Sequence, residues 1–193
     1  YRGRPEKGAD GDIGEVTCYA ESFDGRNWTK PNVNQFVING QAENNVILAD
    51  AAPVTHNFSP MLDTAPNVDP KHRFKALGGT MKSGLIAWTS PDGIHWSKLR
   101  EEAVIPVSMV PFKYMFDSQN LAFWSELEDC YVCFFRVFEG GIRRIARTTS
   151  TDFLTWTEPV LMQYETNGQP SPIEHLYTNQ THPYFRAPQI YVS

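Results

Sequence analysis

The heptapeptide Ser90-Pro91-Asp92-Gly93-Ile94-His95-Trp96 recurs in related form at two other places in the chain, residues 22–28 and 150–156. The three copies share the pattern S-x-D-G/F-x-x-W, and a strand-like run precedes each of them. Their tryptophans are 68 and 60 residues apart. Repetition at a nearly constant interval indicates that the chain is built from repeated structural units.

The residue types of this motif are those of a turn between two strands. Serine and aspartate side chains bind nearby backbone N–H groups, glycine tolerates positive φ, and tryptophan fills the hydrophobic layer beyond the turn. A set of sugar-binding Asp/Trp sites is the alternative interpretation. We favour the turn, because a binding site need not recur in every unit, whereas a turn that holds two strands together must. We call this turn the staple.

Four strands can be assigned around the second copy of the motif, at residues 58–62, 73–77, 85–89 and 104–107. Four more can be assigned around the third copy, at residues 121–124, 131–138, 142–149 and 160–164. Four antiparallel strands per unit of 60–68 residues are typical of a β-propeller blade. We therefore predict an all-β propeller fragment of about three blades. Its parts are the end of one blade (1–43), two blades (44–110 and 111–165) and the start of the next (166–193).

Composition excludes several classes of protein. The 193 residues are 41% hydrophobic and 20% charged, which is typical of a globular chain. A net charge of −5 gives no electrostatic reason to expect nucleic acid or an anionic membrane as a partner. No apolar run approaches the ~18 residues of a membrane-spanning helix.

The three cysteines are too few for a disulfide framework. Cys130 and Cys133 form a C-x-x-C pair within a strand-like run, where they would point to opposite faces. We interpret them as two packed thiols rather than as a redox or metal site, because no second cysteine pair accompanies them.

Candidate site residues lie in the segments that lead into the first strand of each predicted blade, at residues 55–63, 116–121 and 181–188, which we call the blade openings. The first strand of a blade lines the central channel, and polar residues there indicate a lined cavity. Asp117 begins an otherwise apolar strand and is the leading carboxylate, with turn capping as the alternative. Glu174 is either a general acid at the mouth of the funnel, the part of the central channel where ligands bind, or a solvated loop residue. Asp63 is expected to cap the turn after its strand.

The expected substrate-binding residues offer hydrogen-bonding side chains suited to sugar hydroxyls; they are His56, Asn57, Ser118, Gln119, Asn120, His175, His182 and Arg186. Arg186 would clamp an anionic substituent or pair with a channel aspartate. We predict no metal and no cofactor, since nothing in the spacing of His56, His175 and His182 demands a metal site.

The repeated motif, the blade opening Phe116-Asp117-Ser118-Gln119-Asn120 and the later run from Thr178 to Pro188 resemble bacterial proteins of glycoside hydrolase families 32 and 43. These are five-bladed propellers of the invertase, arabinanase and xylosidase group. The resemblance covers the whole chain as blade architecture, but it is specific only at the blade openings. The chain departs from the invertase-like members, since it has no Asn-Asp-Pro, Arg-Asp-Pro or Glu-Cys-Pro motif.

The resemblance implies a glycosidase that hydrolyses oligo- or polysaccharides with carboxylates around the funnel. By position, Asp117 resembles the aspartate that orients the acid and Glu174 the acid itself, while the first-blade carboxylate would lie before Tyr1. Five blades would need about 320 residues, so the rest of the propeller would come from a longer or an associated chain. A periplasmic or extracellular location would follow. The alternative is a carbohydrate-binding propeller without catalysis.

Overall fold

The computed structural model describes residues 1–117, 119–174 and 176–193, so two of the expected binding residues, Ser118 and His175, lie outside the described residues. Strands and loops account for almost all of the described chain, with three short 3₁₀ helices at Val54–Asn57, Pro70–His72 and Val107–Met109. None of the described helices has the length and apolar character needed to cross a bilayer. The all-β prediction is confirmed.

Three antiparallel sheets of three or four strands follow one another along the described chain. The first contains β1 (Arg2–Gly3), β2 (Val16–Cys18) and β3 (Val46–Leu48). The second contains β4 (Ser59–Leu62), β5 (Phe74–Thr80), β6 (Gly84–Ser90) and β7 (Ser97–Lys98), and the third contains β8 (Leu121–Ser125), β9 (Cys130–Glu139), β10 (Ile142–Ser150) and β11 (Val160–Leu161). The second and third sheets both have consecutive strands as neighbours, as expected for blades, but none of the described sheets closes on itself. A propeller therefore stays a prediction.

Several strands differ from the expected pattern. Strand β3 pairs with β2, so the first sheet extends beyond residue 43. Residues 104–107 form only a bridge from Ile105 to Leu85 rather than a full strand. The strand-like run at residues 184–192, which predicts the first strand of the last blade, lies in a hairpin of β14 (His182–Tyr184) and β15 (Ala187–Val192), because the chain reverses at residues 185–186.

Residues 167–173, in which two prolines predict an inter-blade loop, instead contain the turn and the second strand of a hairpin. Strands β12 (Glu165–Thr166) and β13 (Gln169–Pro170) pair across Asn167-Gly168. Both turn residues have positive φ, 54° and 73°, which is the backbone of a type I′ turn. Asn-Gly is the strongest short-range hairpin signal in sequence, so this hairpin was predictable from the chain.

The repeated motif forms the expected turn in all three copies. The serine hydroxyl donates to the aspartate Oδ1 at 3.0 Å in every copy, from Ser22, Ser90 and Ser150. The same Oδ1 accepts the backbone N–H groups two and three residues later, at 2.7–2.9 Å. The interpretation of the motif as a structural staple is confirmed.

The tryptophan of the staple is not equally packed in the three copies. Trp156 is buried and donates from Nε1 to the Phe153 carbonyl at 3.1 Å, and Trp96 donates to the Gly93 carbonyl at 2.9 Å. Trp28, in contrast, is 61% exposed. The hydrogen bonds of the turn therefore form without a packed tryptophan, and the ring adds stability only where a neighbouring layer covers it.

The largest apolar cluster joins the second sheet to the third. Leu77 and Leu85 come from the second sheet, and Phe135 from the third. Strand β9 is buried along most of its length because it is a central strand with an apolar run on both faces. This shared core fixes the position of the second sheet's opening relative to that of the third.

We predict that the third staple contributes more stability than the first. Replacing Asp152 with alanine removes three acceptor contacts beneath a buried tryptophan and should lower the free energy of unfolding by roughly 1–2 kcal/mol. Asp24→Ala removes equivalent bonds beside the exposed Trp28 and should have a clearly smaller effect. Urea unfolding of both variants tests this, and equal losses would contradict it.

The staples should also make the free energy of unfolding depend on pH. Partial burial raises the pKa of Asp152, but hydrogen bonds from the Thr155 and Leu154 N–H groups outweigh it and lower the pKa below its usual 3.8. Stabilisation from such a group is present above the unfolded pKa and is lost as pH falls toward the folded value. Free energies of unfolding measured between about pH 5 and pH 2 should fall less steeply in Asp152→Asn than in the unchanged protein. Parallel curves would refute this.

Candidate functional site

The opening of the second sheet is anchored to that of the third by one buried side chain. Asn57 ends the 3₁₀ helix Val54–Asn57 and is 9% exposed. Its Nδ2 donates to the carbonyl of Phe116 at 2.9 Å. Asn120 Nδ2 donates to the same carbonyl at 3.3 Å. Two expected substrate-binding amides therefore have a structural role, and they fix the backbone next to Asp117.

Asp117 projects from this anchored segment. Its side chain is 61% exposed and forms an ion pair with the guanidinium of Arg136, which is 7% exposed. The ring of Tyr177 lies 4.5 Å from the Arg136 guanidinium carbon and 4.7 Å from that of Arg143. The backbone of Phe116 has a positive φ of 66°, which re-directs the chain just before Asp117. Asp117 is thus an oriented carboxylate with a solvent-facing edge.

Three of the expected site residues line one small cavity. His56 and Asn57 contribute from the second opening and Asp117 from the third, around a volume of about 240 Å³. Asp10 and Tyr114 also line it. The cavity thus combines carboxylates, an imidazole and an amide with an aromatic ring, which are the groups that hold a polyhydroxylated ligand. The roles of these residues in binding stay predictions.

Other expected residues lie elsewhere. Glu174 is exposed and lines none of the cavities identified in the described part of the chain. His182 stands in the last hairpin with its ring 6.0 Å from that of Phe123, and Arg186 stacks on its neighbour Phe185. Gln119 lines a larger cavity. The structure therefore does not bring Glu174 or Arg186 into the cavity of Asp117.

A charged cluster that we did not predict lies behind His56. Glu15 is 1% exposed, and its carboxylate lies 3.3 Å from both the His56 Nδ1 and an Arg4 nitrogen. Gly11 N–H donates to it at 3.2 Å, and Arg2 approaches His56 Nδ1 at 2.5 Å. The sequence signal was a charged residue at the start of the strand-like run Val16-Thr17-Cys18. This cluster holds the His56 ring against the small cavity.

The same cluster contains a set of groups able to reach a cation. Ligand atoms of Asp10, Glu15 and His56 lie within 4.8 Å of one another. Arg2 lies 3.7 Å from Asp10 and 4.0 Å from Glu15, and Arg4 lies 3.3 Å from Glu15. Two guanidinium groups therefore already supply positive charge at this point, and a metal ion would have to compete with them.

Asp63 has the capping role expected of it, together with a second role. Its Oδ1 accepts the Ala65 N–H at 3.0 Å, which caps the turn. Its Oδ2 receives Lys75 at 2.5 Å and the Tyr131 hydroxyl at 2.8 Å. Burial, followed by the hydrogen bond to Asp63, raises the pKa of Tyr131. This buried network ties the second sheet to β9 of the third and makes no contribution to the cavity of Asp117.

The two cysteines of the C-x-x-C pair are packed to different extents. Cys130 and Cys133 are free, and Cys133 is fully buried. Burial raises the pKa of both thiols, which disfavours the reactive thiolate. The interpretation of Cys133 as a packed thiol is confirmed, while Cys130 is half-buried.

Comparison of the chain with protein-family models, curated proteins and solved structures finds no match. The resemblance to glycoside hydrolase families 32 and 43 is therefore an expectation from sequence patterns, and the function has to be argued from the geometry above.

We predict that Asn57 maintains the site more than it binds ligand. Asn57→Ala should lower the free energy of unfolding by roughly 1–3 kcal/mol, because it removes a buried bond to the Phe116 carbonyl. Asn32→Ala, at an exposed position, is the matched control. Chemical denaturation measures both, and an Asn57 variant as stable as the control would show that the bond does not hold the two openings together.

Proposed function

We propose that this chain is part of a five-bladed carbohydrate-active propeller that hydrolyses glycosidic bonds in an oligo- or polysaccharide. The observation that carries the proposal is the shared cavity of His56, Asn57 and Asp117. Asn57 lies two residues before β4 and Asp117 four residues before β8, so they are near but not at equivalent places in successive repeats, and both openings supply polar groups to one cavity. Convergence of repeat openings on a ligand is how propellers build a funnel site.

Asp117 is the central carboxylate in this proposal. Its ion pair with Arg136 fixes its orientation, and its exposed edge faces the cavity. Glycoside hydrolysis needs a group that protonates the leaving oxygen and a carboxylate that assists water or stabilises the oxocarbenium-like transition state. Asp117 has the second role, orienting the substrate and stabilising positive charge at the anomeric carbon.

Two carboxylates compete for the role of general acid. Glu174 is the candidate from the resemblance, but it lies outside the cavity. Asp10 lines the cavity together with Asp117 and is the candidate from the geometry. In either case the bond between the anomeric carbon and the glycosidic oxygen breaks as the acid donates its proton to that oxygen, water adds to the anomeric carbon, and the proton that the water loses returns to the acid's carboxylate.

A specific observation also favours non-catalytic sugar binding as the second candidate. The one expected carboxylate in the cavity is neutralised by Arg136, and the expected acid Glu174 does not join it. Such a site would retain hydrogen bonds to sugar hydroxyls without a proton donor.

The proposal includes the rest of the propeller. A propeller has typically four to eight blades, whereas the described residues supply two four-stranded sheets, one three-stranded sheet and two hairpins. The remaining blades would come from a longer chain or from an associated one, and carbohydrate is the proposed substrate in both cases.

Substitution of the three carboxylates separates these functions. Asp117→Asn should reduce turnover of chromogenic arabinofuranosides, xylosides or sucrose by about 10³-fold or more, since it removes charge from the reacting centre. Whichever of Glu174→Gln and Asp10→Asn shows a comparable loss identifies the acid. Sugar affinity, measured by calorimetry, should change much less than turnover.

The unchanged protein and an Asp129→Asn variant, altered at an exposed turn, are the controls. Full turnover in all three carboxylate variants would contradict the catalytic assignment. Sugar binding without turnover in the unchanged protein would establish the non-catalytic alternative.

A further inference from the structure

The charged side chains that line the cavity of Asp117 differ in whether they have an ion-pair partner. Asp117 is paired with Arg136, and Asp10 lies 3.7 Å from Arg2. Lys82, from the turn between β5 and β6, lines the same cavity and is exposed. It forms no ion pair with any of the described residues. The cavity therefore contains acidic groups that are already paired and an ammonium group that is free.

A second free cation lies close to the arginine that pairs with Asp117. Arg143 is opposite Phe138 in the ladder of β9 and β10, and Arg136 is two residues from Phe138 on β9. Both arginines therefore project from the same face of the third sheet, and the Tyr177 ring stacks against both of them. Arg143 is partly buried and has no ion-pair partner within the described part of the chain.

The neighbouring Arg144 provides a contrast within the same hairpin. It projects from the opposite face and donates to the Glu139 carboxylate at 2.8 Å. The third sheet thus compensates Arg144 on one face, but it leaves Arg143 uncompensated on the face that carries Arg136. A partly buried guanidinium without a counter-charge costs free energy, and an anionic ligand nearby would reduce that cost.

The region around the cavity has an excess of positive charge. Its charged residues lie in the lining, in the cluster behind His56 or beside Asp117: three carboxylates (Asp10, Glu15 and Asp117) and five cations (Arg2, Arg4, Lys82, Arg136 and Arg143). The whole chain, in contrast, has a net charge of −5. A locally positive cavity in an acidic protein attracts anions and raises their local concentration. Asp117 does not prevent this, because Arg136 compensates its charge.

We infer that the sugar chain bound at Asp117 carries an acidic substituent, either a uronate carboxylate or a sulfate ester. This inference rests on the proposed function and specifies the class of its substrate. Lys82 donates hydrogen bonds to the oxyanion in the cavity, and Arg143 adds to the positive potential beside Asp117. Arg186, which the sequence predicted for an anionic substituent, lies outside this cavity, and Lys82 takes that role.

Calorimetric titration of the full chain with matched neutral and acidic sugars tests the inference. The probes are xylotriose and arabinotriose, each unmodified, with one glucuronic acid branch and with one sulfate ester. For the sugar that binds, one acidic form should bind at least tenfold more tightly than the neutral form, the effect of one charge-assisted hydrogen bond. The form with the higher affinity identifies the acidic group. This advantage should shrink at about 0.5 M salt, whereas the affinity for the neutral form should not change.

Two variants locate the positive charge that recognises the ligand. Lys82→Gln should weaken binding of the acidic form about tenfold, and Arg143→Gln should weaken it about threefold, with neutral binding unchanged in both. Lys71→Gln removes the same charge from an exposed lysine outside the cavity, and Arg144→Gln removes it from the opposite face of the sheet. These two matched controls should bind the acidic form normally. Since Lys82 is exposed and unpaired, Lys82→Gln should also have an unchanged melting temperature, so that misfolding does not explain its weaker binding.

The outcomes distinguish this inference from the proposed function. Equal affinity for neutral and acidic forms, or an advantage that salt does not reduce, overturns the acidic substrate and leaves the proposed function standing. Normal binding of the acidic form by either the Lys82 or the Arg143 variant overturns it as well. Failure of every probe to bind the unchanged protein contradicts the carbohydrate function itself, and the inference with it.

Discussion

The candidate site depends on the hydrogen bond from the Asn57 side chain to the Phe116 carbonyl. Asn57 belongs to the opening of the second sheet, and Phe116 directly precedes Asp117 in the opening of the third. The bond is buried, so breaking it would leave the Asn57 amide without this partner and the Phe116 carbonyl with only its longer bond from Asn120. The loss of a buried hydrogen bond has a substantial cost in free energy. It determines how far His56 lies from Asp117, and with that distance the shape of the small cavity.

Two further features keep this geometry rigid. The apolar cluster shared by the second and third sheets packs side chains such as Leu77 and Phe135 together. At the far end of β4, the buried group of Asp63, Lys75 and Tyr131 links the same two sheets by polar contacts. A buried polar network is tolerated only in one arrangement, because each displaced member would leave another unsatisfied. The strand β4 is therefore fixed at both of its ends, which suits its place in the wall of the larger cavity.

The sequence predicted the features that depend on local chemistry. The staples followed from serine, aspartate and glycine at fixed positions, and strands β5, β6, β9 and β10 followed from apolar runs with turns between them. It could not predict what depends on distant partners. Trp28 has the same local sequence context as Trp156, and only the neighbouring layer decides which ring is buried. Arg136 interrupts an apolar strand, a visible signal, but its partner Asp117 is 19 residues away and is met only in the folded sheet.

The buried carboxylate of Glu15 contacts the site although it lies outside the blade openings. Sequence patterns directed attention to blade openings, yet Glu15 lies at the start of β2 and reaches the site through His56. His56 Nδ1 has two neighbours with opposite requirements, since the Arg2 guanidinium can only donate while the Glu15 carboxylate can only accept. Whichever neighbour it serves, the ring is held in place against both cavities. His56 is thus the side chain shared by the charged cluster, the cavity of Asp117 and the larger cavity that Gln119 also lines.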